Sequence, residues 1–235
     1  MSDHCLNCHL PLPFELTWRS LFKQLPPSYL CKDCKKQLAP IHPPICQKCS
    51  RPLEKLSKDY IKGDVCLDCY RWENDASWAS ILDKNISFYE YNDFLKDLLA
   101  RFKYRGDYIL AKIFSQKIQK ELEKISCDAI VPIPLSNERL LERGFNQSTA
   151  LATEANLNVA NLLTRVHTEK QSKKSRQERI HLQQVFNRKD DVKLEGENIL
   201  LIDDIYTTGS TLRHAAKILK EAGAKSVTSI TIARG

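Results

Sequence analysis

The stretch Asn198-Ile-Leu-Leu-Ile-Asp-Asp-Ile-Tyr-Thr-Thr-Gly-Ser-Thr-Leu constrains the fold of this chain more than any other. It opens on a continuous apolar run, Asn198–Ile202, the pattern of a strand buried on both faces. Two adjacent carboxylates, Asp203 and Asp204, close the strand. A turn of Thr207, Thr208, Gly209, Ser210 and Thr211 follows, and a helix predicted over Ser210–Ala222 starts directly after it and ends at Gly223. Such a turn gathers backbone N–H groups and hydroxyls at a helix N-terminus, where an anion is favoured. Gly209 lets the backbone approach a phosphate closely. Carboxylates next to a phosphate would repel it, so Asp203 and Asp204 make sense as acceptors for sugar hydroxyls or beside a magnesium ion. No Gly-Lys-Ser/Thr sequence follows the strand, which excludes a P-loop.

The elements around this loop alternate in period. Ile86–Tyr91 reads as a strand. Asn92 offers a helix cap, and Phe94, Leu95, Leu98, Leu99 and Phe102 form a helical stripe. After Gly106, a second stripe runs from Ile109 to Ile125. Ala129–Ile133 is a short buried strand, and residues 137–156 are expected to form one helix capped by Ser136 or Asn137. Val159–Val166 and Ser226–Ala233 complete the strands. Strands alternating with helices imply a doubly wound parallel α/β sheet. Residues 167–179 are polar and basic with no apolar period, and are expected to form a mobile loop.

The other constraint lies in the N-terminal third. Eight of the nine cysteines form four Cys-x-x-Cys pairs: Cys5/Cys8, Cys31/Cys34, Cys46/Cys49 and Cys66/Cys69. Each pair offers two thiolates, and two pairs complete a tetrahedral zinc site. Sequential pairing gives one ion to Cys5, Cys8, Cys31 and Cys34, and a second to Cys46, Cys49, Cys66 and Cys69. Interleaved pairing and an iron–sulfur cluster are the alternatives. A full cysteine set is closed, hence structural. It leaves no ligand role for His4, His9 or His42, and Cys127 is expected to be a small apolar residue at a strand start. Apolar periodicity is scarce before residue 75, so metal would have to organise that part. The division expected is 1–75 for the zinc-ribbon module and 76–235 for the α/β domain.

Composition narrows the class. No run of about 18 apolar residues exists, so no membrane insertion is expected. The start, Met1-Ser-Asp-His-Cys5, has neither a basic nor an apolar leader region, and a cytoplasmic location is expected. The formal charge is +7. Its cations gather at two places. Lys96, Arg101, Lys103 and Arg105 punctuate Phe102, Tyr104 and Tyr108; Lys170, Lys173, Lys174, Arg176 and Arg179 crowd the loop 167–179. Cations among aromatic faces suit sequence-tolerant single-strand binding, with Lys103, Arg105, Lys173, Lys174 and Arg176 as candidates. The alternative is a solvated basic flank around a core Phe102.

The strand, acidic pair and Thr-Thr-Gly-Ser-Thr turn resemble the signature of type I phosphoribosyltransferases. That resemblance implies a ligand, phosphoribosyl pyrophosphate (PRPP) with magnesium. Asp203 and Asp204 would hold the ribose hydroxyls, and Thr207, Thr208, Gly209, Ser210 and Thr211 the 5′-phosphate. It further implies a pyrophosphate loop at Pro134–Arg139, often of unusual backbone conformation, with Arg139 and Arg143 as phosphate cations. Residues 167–179 would be the active-site loop. Asp203, Asp204 and Arg179 are the catalytic candidates, although Leu135-Ser-Asn replaces the acidic and small residues of many relatives. With the cysteine pairs, Phe102-Lys-Tyr-Arg-Gly-Asp, Val131-Pro-Ile-Pro-Leu and Arg143-Gly-Phe-Asn-Gln-Ser, the whole chain is similar to the ComF family of competence proteins. This likeness implies handling of single-stranded DNA during natural transformation, beside a DEAD-box-like helicase/translocase ATPase. Leu10-Pro-Leu-Pro-Phe and Trp18 are the surface expected to meet that ATPase. Two alternatives stand: an active transferase on an unidentified acceptor, and a PRPP-sensing regulator.

Overall fold

A computed structural model of the chain describes residues 3–12, 27–165, 185–189 and 193–235. The N-terminal part holds helix α1 (Lys32–Gln37), the antiparallel hairpin β1 (Ile61–Lys62) and β2 (Val65–Cys66), and helix α2 (Leu67–Asn74). Then follow β3 (Lys84–Glu90), α3 (Asp93–Tyr104), α4 (Lys112–Leu122), β4 (Ala129–Pro132), α5 (Asn137–Arg143) and α6 (Gln147–Glu154). A second small hairpin pairs β5 (Leu163–Arg165) with β6 (Phe186–Arg188). The chain closes through β7 (Asn198–Tyr206), α7 (Ser210–Glu221) and β8 (Ser226–Arg234).

Four strands make the central sheet in the order β3-β8-β7-β4, all parallel, as the alternation of periods predicts. Side chains alternate across it. Leu200, Ile202, Ile230 and Ile232 point to one face, where Leu95, Leu98, Leu99 and Phe102 of α3, Phe114 and Ile118 of α4, and Leu151 of α6 pack. Ile199, Leu201 and Val227 point to the other, under Leu212, Ala215, Ala216 and Leu219 of α7. Asn92 caps α3 as expected, its side-chain oxygen accepting the Leu95 N–H at 3.0 Å.

The cysteine-bearing residues close both the faces and an edge of the sheet. Cys5 and Cys34 belong to the α3/α4 core, whereas Cys46, Cys49, Cys66 and Cys69 belong to the α7 core. The Ile41 N–H donates to the Phe88 carbonyl (3.0 Å) and the Glu90 N–H to the Ala39 carbonyl (2.9 Å), so a run of this part covers the free edge of β3.

Three local expectations differ from the structure. The helix expected over 137–156 is two. Gly144, at φ +75°, ends α5 by donating its N–H to the Leu140 carbonyl. Asn146 then restarts the chain as cap of α6, accepting from the N–H groups of Ser148 (2.8 Å) and Thr149 (3.1 Å). Among the described residues of the strand expected over Val159–Val166, only Leu163–Arg165 is strand. Its partner Phe186–Arg188 lies across a long polar segment that carries no periodic signal. The strand before the loop does not stop at the acidic pair: β7 continues to Tyr206, which registers with Arg234 of β8.

Candidate functional site

The acidic pair sits near the C-terminal end of a central parallel strand, two residues before its last, Tyr206, at the edge where such sheets place ligands. Neither carboxylate is free of the scaffold. Asp203 accepts from the Ser148 hydroxyl (3.0 Å) and from the Asp204 backbone N–H (2.9 Å). Asp204, buried, forms an ion pair with Lys103 of α3. Burial first, and then the adjacent Asp204 charge, push Asp203 up to about 7, while the Asp204 N–H, Lys103 and Ser148 pull the other way. Asp203 is thus a carboxyl that gains its negative charge only near neutrality.

A pH signature follows. Asp203 holds its proton in the folded state over a range where the unfolded chain has already lost it. Between about pH 4 and pH 7 its ionisation therefore makes stability fall as pH rises. Asp203→Asn removes that loss, so it raises the thermal unfolding midpoint at pH 8 and changes it little at pH 4. A midpoint that moves equally at both pH values would contradict this account of the carboxyl.

The loop after β7 is shaped by Gly209, at φ +80°, which precedes the first turn of α7. A Cβ there would lie 2.1 Å from the Tyr206 hydroxyl and 2.3 Å from Arg213 Nη1, so both the angle and the space require glycine. Thr207, Thr208 and Thr211 are exposed, and Ser210 is half-buried. Behind the loop, the Trp72 indole N–H donates to the Thr208 carbonyl (3.0 Å) and Arg234 donates to the Thr207 carbonyl (2.9 Å).

The cations fall into two classes. Arg139 is exposed on α5. Arg143 is half-buried, lies over the Tyr104 ring (5.2 Å) and donates to Gln147 (2.7 Å). Residues Pro134–Arg139 contain no cis peptide and no positive φ. Arg165, at the end of β5, was not legible as a site residue, because only the fold brings it to the acidic pair. Burial and then the charge of Arg139 push its pKa down, Asp203 pushes it up, and Arg143 again lowers it. Arg165 thus feels Arg139 and Arg143 as like charges and Asp203 as an opposite one.

Several expectations for a nucleic-acid face change. Arg101 is an internal tie, donating to the Leu6 and Asn7 carbonyls and pairing with Asp107 at 2.7 Å. Lys103 turns to Asp204 and is not an open cation, because a buried carboxylate there needs a counter-charge. Phe102 is core, whereas Tyr104 is 70% exposed and Lys96 and Arg105 are exposed. The candidates Lys173, Lys174, Arg176 and Arg179 lie outside the described residues, as do Phe14 and Trp18 of the expected docking surface. Of that surface, Leu10 is exposed and Leu12 packs against the core.

The eight paired cysteines form two groups, Cys5/Cys8/Cys31/Cys34 and Cys46/Cys49/Cys66/Cys69, with all sulfurs of a group within 4.8 Å of one another. These are the sequential sets. Sγ–Sγ distances of 3.7 Å, for Cys8–Cys31 and Cys49–Cys66, are far above the roughly 2.05 Å of a disulfide. They equal the edge of a tetrahedron with about 2.3 Å Zn–S bonds. Both sets therefore could hold structural zinc. The second is buried throughout, while Cys8 of the first is exposed. Cys127 is half-buried and outside both groups.

Similarity to known proteins agrees with this geometry. A family model described as phosphoribosyl transferase domain matches residues 109–235. The chain is 40% identical over 234 residues to competence protein ComFC of Bacillus subtilis (strain 168), covering 98% of this chain and 94% of that protein. It is 35% identical to competence protein ComFC of Streptococcus pneumoniae (strain ATCC BAA-255 / R6), covering 98% and 99%. It is 28% identical to competence protein F of Haemophilus influenzae (strain ATCC 51907 / DSM 11121 / KW20 / Rd), covering 87% and 90%. With a phosphoribosyl transferase sheet carrying an acidic pair and a glycine loop, and two cysteine groups closing its faces, the chain belongs to the ComFC family of competence proteins.

Proposed function

We propose that this protein is a cytoplasmic DNA-uptake factor of natural transformation. It handles incoming single-stranded DNA and binds magnesium-PRPP, or a related ribose phosphate, at Asp203–Thr211. The observation that carries the ligand reading is the acidic pair near the end of β7, fixed by Ser148 and Lys103 and followed by a glycine-bearing loop at a helix start. Asp203 and Asp204 receive the ribose hydroxyls, and Thr207, Thr208, Gly209, Ser210 and Thr211 receive the 5′-phosphate. Arg139, Arg143 and Arg165 offer guanidinium groups to the pyrophosphate.

The DNA part of the reading takes its support from the relatives' being competence proteins and from cations near the site. Lys96 on α3, Tyr104 at its last position and Arg105 directly after it are all exposed. Lys173, Lys174 and Arg176 extend the same chemistry, with Arg179 reserved for the ligand. A helicase/translocase ATPase is the partner this role calls for, and the units 1–75 and 76–235 divide the labour between docking and ligand.

Filter binding of a labelled oligodeoxynucleotide tests this, with and without magnesium-PRPP, across a salt series. Affinity should fall by roughly one to two decades between 50 and 200 mM salt if a few phosphates are contacted. It should also change when PRPP is added. DNA affinity that ignores both salt and PRPP removes the reading. A second reading, transfer of the phosphoribosyl group to an acceptor, is favoured by the intact acidic pair alone. Release of pyrophosphate that Asp203→Ala abolishes would establish it.

A further inference from the structure

We propose that the second cysteine group and the loop Thr207–Thr211 form one mechanical unit, with Trp72 and Arg234 as positioning residues. The proposal rests on reading that loop as a ribose-phosphate site. Trp72 lies three residues after Cys69 on α2, so both project from the same side of that helix. Sulfur ligation of Cys66 and Cys69 would fix the helix, and the helix aims the indole N–H at the Thr208 carbonyl (3.0 Å).

Arg234 reaches both parts with one buried guanidinium. It donates Nη1 to the carbonyls of Thr207 (2.9 Å) and Tyr206 (3.3 Å), and Nη2 to Cys49 Sγ (3.5 Å). Arg213, also buried, donates to the Tyr206 hydroxyl (2.6 Å) and stacks on Trp72 at 4.8 Å. Among the described residues, no side-chain carboxylate pairs with either arginine, and nearby Glu73 pairs with Lys48. Buried cations require compensation. Four thiolates and one divalent ion carry a net charge of about −2 and would supply it.

The consequence for the loop is geometric. A planar trans peptide points its C=O and N–H in opposite directions. Holding the Thr207 and Thr208 carbonyls backward, toward Arg234 and Trp72, aims the N–H groups of Thr208 and Gly209 forward, where an anion would sit. The first cysteine group has a different tie, through Arg101 to Leu6 and Asn7, and among the described residues no hydrogen bond joins it to the loop.

The test uses the full zinc-loaded chain and Trp72→Phe, which keeps an aromatic face for Arg213 and removes the N–H. Calorimetry reads magnesium-PRPP affinity, and hydrogen exchange reads the amides of 207–211 without ligand. Affinity should fall roughly three- to tenfold, and the Thr208 and Gly209 amides should exchange faster by a similar factor. Linkage adds a reciprocal effect: saturating PRPP should slow release of one of the two zinc ions to a chromogenic chelator in the parent protein. Unchanged affinity and exchange in a fully zinc-loaded Trp72→Phe overturns the proposal. If that variant loses zinc, the parent decides, and release rates indifferent to PRPP overturn it. A parent that binds no PRPP defeats the ligand reading alone, since exchange at 207–211 still reports the coupling.

Discussion

Gly209→Ala should weaken magnesium-PRPP binding more than tenfold and lower the unfolding midpoint by about 5–15 °C. Two costs combine. An alanine at φ +80° is strained by about 1–2 kcal/mol. Its methyl would also meet the Tyr206 hydroxyl at 2.1 Å and Arg213 Nη1 at 2.3 Å, and both neighbours are fully buried with no room to retreat. Overpacking of this kind costs about 1–3 kcal/mol more. Binding suffers further because Tyr206, the loop and Arg213 must shift together, carrying the first turn of α7 with them. The check is a pair of measurements on purified protein, a thermal melt and a PRPP titration. The same substitution at Gly106, also at positive φ but with nothing within 4 Å of its Cβ, is the control and should cost only the strain.

Loss of metal from the second cysteine group should be the more damaging event. Cys46, Cys49, Cys66 and Cys69 are fully buried and belong to the same core as Leu201, Tyr206 and Leu212. A thiolate left there without metal is an uncompensated buried charge, and a protonated one leaves Arg234 without its sulfur partner. Structural zinc contributes on the order of 10 kcal/mol to small metal-bound folds, comparable to the stability of a whole domain. Cys49→Ser is therefore expected to retain at most one zinc and to collapse the soluble yield. Cys8→Ser, at an exposed ligand on the opposite face of the sheet, should lose its zinc and keep the loop and its ligand. Elemental analysis with a PRPP titration separates the two. Equal damage from both substitutions would contradict the asymmetry.

Much of this architecture was legible because it is written locally. The stripe from Phe94 to Phe102, the Asn92 cap and the apolar run before Asp203 each follow from one window of sequence, and the parallel sheet follows from their alternation. Spacing left sequential and interleaved cysteine sets both open, and the fold brings the sequential sets together. What sequence windows miss is long-range. Gly144 and Asn146 could have been read as stop and start signals inside 137–156, since glycine at a helix end and asparagine at a helix start are ordinary caps. By contrast, the pairing of β5 with β6 and the arrival of Arg165 near Asp203 depend on chain closure across more than twenty residues.

The reassignment of Lys103 teaches the same lesson for charges. In sequence it sits among aromatic and basic residues, like a nucleic-acid cation. In the fold, helix α3 turns it toward Asp204, with whose buried carboxylate it forms an ion pair. Trp72 is a parallel case, three residues from Cys69 in sequence yet donating its N–H to the loop 136 residues away.

The central claim is that Asp203–Thr211 is a working ribose-phosphate site. Isothermal titration of magnesium-PRPP into the zinc-loaded protein, beside the Asp203→Ala/Asp204→Ala double variant, tests it most directly. Saturable binding of one PRPP per chain, lost in the double variant while both zinc ions stay bound, is the predicted result. No heat of binding in the parent protein, or equal affinity in the double variant, would contradict it.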